Sequence, residues 1–100
     1  MELKDYSKYV IDNITRATCG NVLNITNKFL NKEYVFKDFL ISVIEYVEEL
    51  LKADKISKSK CYSILHTTNE AIKSLSKPNY NETYIIDDYF IDIWRILNEA

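Results

Sequence analysis

Turn formers are almost missing from these 100 residues: glycine and proline occur once each, as Gly20 and Pro78. A sandwich or barrel needs turn signals every ten residues or so, and outside residues 19–34 and 76–83 the chain has almost none, which excludes the all-β classes and favours helices. Cysteine is scarce too. Cys19 and Cys61 stand alone, neither in a CxxC pair nor beside a histidine at ligand spacing, which argues against a metal site and predicts two reduced thiols. No segment approaches the roughly 20 uncharged apolar residues that span a bilayer, and MELKDYSKYV contains no apolar h-region. The reading is a cytoplasmic protein without a membrane partner. The three Asn-x-Thr triplets, at Asn13, Asn24 and Asn81, then carry no glycosylation signal. Arginine is limited to Arg16 and Arg95 while Ile, Lys and Asn abound, a bias that fits an AT-rich genome.

Apolar residues make up 47% and charged residues 28%, a globular composition, and the length suits a single domain spanning residues 1–100. The net charge of −2 hides a segregation: residues 1–51 carry six basic and eight acidic side chains, residues 52–79 six and two, residues 80–100 one and five. A basic middle and an acidic C-terminal part attract one another within a fold.

Periodicity places the helices. From Tyr34 to Ala53, Phe36, Phe39, Leu40, Val43, Val47, Leu50 and Leu51 recur at three- and four-residue steps, opposite Asp38, Glu45, Glu48, Glu49 and Lys52. Ser57 suits the N-cap of a helix reaching Lys77, with Cys61, Ile64, Leu65, Thr68, Ala71, Ile72 and Leu75 inward and Pro78 as its stop. The few residues between these helices predict antiparallel packing. The N-terminal part reads as a helix from Leu3 to Ala17 and a shorter one from Asn21 to Leu30, with Gly20 as the C-cap between them, or else as one long helix kinked at Gly20. Beyond the polar loop PNYNET, a final helix runs from Tyr84 to Leu97 and is apolar round most of its circumference, its polar arc being Asp88, Asp92 and Arg95. The fold expected is all-α, a small antiparallel bundle of four to five helices, with an N-terminal helix over residues 1–20 and the main bundle over residues 21–98.

No catalytic constellation emerges. His66, the single histidine, lies on the outer face of its helix with Tyr62, Asn69 and Lys73, and no serine or cysteine nucleophile stands at a supporting spacing. One glycine cannot build a phosphate-cradling loop. Asp87 and Asp88 are adjacent, so on a helix they diverge by about 100°. The chain reads as a non-enzyme without cofactors. Lys52, Lys55, Lys58 and Lys60 cluster around the turn between the third and fourth helices, but the candidate recognition helix lacks arginine and the domain is acidic, so nucleic acid is not the expected partner.

What a small bundle does not need is apolar residues among acids. Ile41 sits amid Asp38, Glu45 and Glu48, and Ile91 with Trp94 forms a second apolar edge beside Asp87. Both look like partner-facing spots, unless Ile91 and Trp94 merely mark the final helix as central.

The stretch NKFLNKEYVFKDFLISVIEYVEELLK, the helix ending in EAIKSL and the segment YIIDDYFIDIWRIL together resemble the colicin D immunity proteins and similar bacterial immunity proteins of contact-dependent growth inhibition systems. The matching positions are Phe29 and Leu30 in the turn, Asp38 and Phe39 at the entry of a helix, and Tyr84, Asp87 and Asp88 with Ile93, Ile96 and Leu97 in the last one, across residues 21–98. The chain departs from that pattern in its extra helix at residues 3–17 and in Asn31, where the turn usually carries glycine. The resemblance implies that the partner is a cognate toxin nuclease domain, commonly one that cleaves transfer RNA, whose basic cleft is covered by acidic side chains. The residues this implicates, together with the apolar spots, are Asp38, Ile41, Glu45, Glu48, Glu49, Tyr84, Asp87, Asp88, Ile91, Asp92 and Trp94. A mobile-element inhibitor of a host protein and a helical nucleic-acid-binding regulator are the competing readings.

Overall fold

The structure, a computed structural model, describes residues 2–30, 35–77 and 81–98, with residues 19, 23, 26, 29 and 30 as backbone only. Expectations resting on the Cys19, Phe29 and Leu30 side chains, and on Asn31, Tyr34 and Pro78, lie outside the described residues. The chain forms five helices: α1 (Leu3–Arg16), α2 (Cys19–Leu30), α3 (Phe36–Lys52), α4 (Lys58–Leu75) and α5 (Glu82–Asn98). No strand occurs among the described residues.

The stripe read from sequence is the buried face of α3: Phe36, Phe39, Leu40, Val43 and Val47 are each at most 2% exposed. Removing such a side chain from water is worth about 1.5–3 kcal/mol, so this row alone fixes how α3 rolls against its neighbours. The α3–α4 turn then closes without glycine. Asp54 takes a left-handed conformation (φ 56), its N–H donates to the Leu51 carbonyl at 3.1 Å, and the Lys55 N–H donates to that of Leu50 at 2.9 Å. This is a Schellman closure, with Asp54 in the position glycine usually fills, tolerated because its short polar side chain suits left-handed backbone. On the far side, Ser57 Oγ accepts from the Lys60 N–H at 3.2 Å, capping α4 as the sequence predicts.

Gly20 does not cap α1. It lies inside the first turn of α2, without positive φ. The break falls earlier: Ala17 is extended (φ −80, ψ 155), and the Thr18 carbonyl accepts from the Asn21 N–H at 3.0 Å. An extended residue followed by threonine, a residue type suited to a helix start, ends one helix and opens the next without a left-handed residue. α1 and α2 are therefore two helices, and neither a glycine cap nor a kink at Gly20 joins them.

α4 packs on both α3 and α5, and α1 packs on the other side of the same two helices, while α2 rests on α5 and α1. The α4–α5 pair is antiparallel, since Lys60 at the start of α4 meets Leu97 at the end of α5 and Thr68 meets Tyr89 midway. In this ring α3 and α5 stand across the core from each other, joined by aromatic rings: Phe90 lies 6.2 Å from Phe36 and 5.8 Å from Phe39 between centroids, and Tyr6 lies 6.1 Å from Phe39. Edge-to-face pairs of this kind add about 0.5–1.5 kcal/mol beyond their burial.

Buried hydroxyls tie the helices in pairs. Tyr46 Oη donates to Asp12 at 3.1 Å, linking α3 to α1, and burial first, then this bond, pushes the phenol up to about 12. A tyrosine in the unfolded chain ionises near 10. The folded form thus resists losing a proton that the unfolded form gives up, so stability holds below about pH 10 and falls as the pH rises from there towards 12. Thermal melts followed by circular dichroism across that range should show the decline, and Tyr46→Phe should make it shallower, with the buried Tyr89 phenol supplying the rest.

Candidate functional site

Six of the eleven expected residues line two separate grooves, Tyr84, Asp88 and Asp92 one and Asp38, Ile41 and Glu45 the other. On α5, positions 84, 88 and 92 follow one another at four-residue steps, so Tyr84, Asp88 and Asp92 share an outward stripe, and all three are exposed. α4 runs antiparallel beside it and answers with His66, Glu70 and Ser74 at the same spacing. Together they wall a groove floored by Ala71, Ile85 and Tyr89. Among the described residues no lysine or arginine lines it. Glu70 meets Lys73 at 3.4 Å and Asp92 meets Arg95 at 3.9 Å, both exposed pairs of the kind worth about 0–1 kcal/mol. Asp88 makes no salt bridge among the described residues. Burial raises the Asp92 carboxyl above its ordinary value, with Asp88 adding to the shift and Arg95 opposing it.

The floor is structural. Thr68 Oγ1 donates to the Ile64 carbonyl at 2.7 Å, so its own proton is committed and the Tyr89 hydroxyl, 2.9 Å away, is the donor between the two. Burial holds that phenol well above its usual range, and it stays neutral. His66 is exposed, with Tyr62, Asn69 and Lys73 on the same face, as the helical spacing predicts.

A second groove separates α1 from α3. Asp38, Ile41, Ser42 and Glu45 line it from α3, Leu3 and Lys4 from α1. Ile41 is 43% exposed between the two carboxylates, an apolar side chain left in water. Lys4 Nζ donates to Glu49, one turn beyond Glu45, and that bond is the main reason its ammonium sits above the ordinary lysine value. Asp38, Glu45 and Glu48 are exposed and make no salt bridge among the described residues.

The remaining expected residues lie elsewhere on α5. Asp87 and Ile91 are half-buried, Ile91 against the core, and Trp94 is half-buried with its Nε1–H donating to the Ala17 carbonyl at 2.7 Å. Trp94 thus holds the α1–α2 junction onto α5. Of the basic cluster, Lys60 donates to the Leu97 carbonyl at 3.3 Å, a cation at the end of α5, where the helix dipole favours one.

Because the α1–α3 and α4–α5 grooves occupy opposite edges of the ring, no single flat surface reaches both acidic rows. Sequence reasoning missed His66 and Glu70 as neighbours of the α5 row, and Ser42 as part of the α3 groove. The signal for the first was present, because 66, 70 and 74 form a stripe in register with 84, 88 and 92 once α4 and α5 are set antiparallel. Among the described residues no cluster of three metal-ligating side chains occurs, and no helix is long and apolar enough to cross a membrane. No family model, curated protein or solved structure matches the chain.

Proposed function

We propose that the protein is an immunity-type inhibitor that binds a toxin nuclease and neutralises it by setting carboxylates against its basic cleft. The observation that carries this reading is that both grooves are walled by exposed carboxylates that make no salt bridge among the described residues: Asp38 and Glu45 on one side, where the Lys4 in the same wall bonds Glu49, and Asp88 on the other. Carboxylates so placed mimic substrate phosphates, and an uncompensated acidic face accelerates capture of a basic partner. The groove floors supply the apolar contact that a charged rim lacks.

The test is growth rescue and binding against any nuclease domain found encoded in the neighbouring reading frames. Reversing Asp88 and Asp92 to Lys, and separately Asp38 and Glu45, should leave the melt nearly intact, because all four are exposed. At the face that docks, loss of a close charge partner costs about 2–5 kcal/mol, roughly 30- to 5000-fold in Kd, with a slower association rate. The other face should change affinity by less than about fivefold. If reversing both rows together leaves inhibition and its salt dependence unchanged, the proposal is wrong.

A further inference from the structure

We draw no further inference here: the strongest candidate, the pocket where the α3–α4 turn meets the ends of α1 and α5, carries nothing, because of its two lysines Lys60 is bonded to the Leu97 carbonyl at the end of α5 and Lys55 is exposed, and nothing in the structure shows what covers its apolar wall of Ile11, Leu50 and Ile56.

Discussion

Phe90→Ala should lower stability by about 3–5 kcal/mol, the largest loss expected of any single truncation in this domain. Phe90 is fully buried at the middle of α5 and its ring meets Phe36, Phe39 and Tyr89, at 6.2, 5.8 and 5.5 Å between centroids. It is where the two helices facing each other across the ring make contact, so its removal leaves a void that neither α3 nor α5 can fill alone. For a domain of about this size each kcal/mol shifts the midpoint by about 4–8 °C. A drop of about 15 °C or more is expected, with Phe90→Leu well under half of that. A thermal melt by circular dichroism decides it; a drop under about 5 °C for Phe90→Ala would mean that the aromatic cluster is not the centre of the core.

Trp94→Ala should follow closely, at about 3 kcal/mol. The indole is only half-buried, which trims the packing term, but its N–H satisfies the Ala17 carbonyl at the extended residue where α1 gives way to α2. Truncation removes ring contacts and that bond together. Trp94→Phe keeps much of the apolar contact and loses the bond, for an expected cost of about 1–2 kcal/mol. Amide exchange should separate the two substitutions from Phe90→Ala: loss of the Trp94 bond raises exchange first in α2, whereas loss of Phe90 raises it everywhere. If Trp94→Ala weakened partner binding while leaving the melt in place, the indole would belong to the interface and not to the junction.

The sequence was most informative where a single helix decides the outcome. Phe36 to Leu51 read as one buried row because a seven-residue recurrence of large apolar side chains has no other stable placement, and Ser57 announced α4 because its hydroxyl can cap only the residues just after it. It was least informative where the deciding partner is distant in the chain. Gly20 looked like a cap because glycine usually is one, yet the backbone turns at Ala17, held there by an indole 77 residues away. Nothing in the sequence pairs Tyr46 with Asp12, 34 residues away, until the fold brings α1 beside α3. The same limit applies to the candidate site: the acidic rows were legible residue by residue, but that Glu70 joins Asp88, and that Asp38 and Asp88 face away from each other, follows only from the order of helices around the ring.

That order has an electrostatic corollary. The bundle measures 38 × 28 × 25 Å, so charges on opposite edges are separated by roughly its shortest dimension. At physiological ionic strength the Debye length is about 8 Å. Three such lengths of screening leave each acidic row almost blind to the other in solution. Counterions gather on the two rows independently, and a cation bound to one leaves the potential over the other essentially as it was.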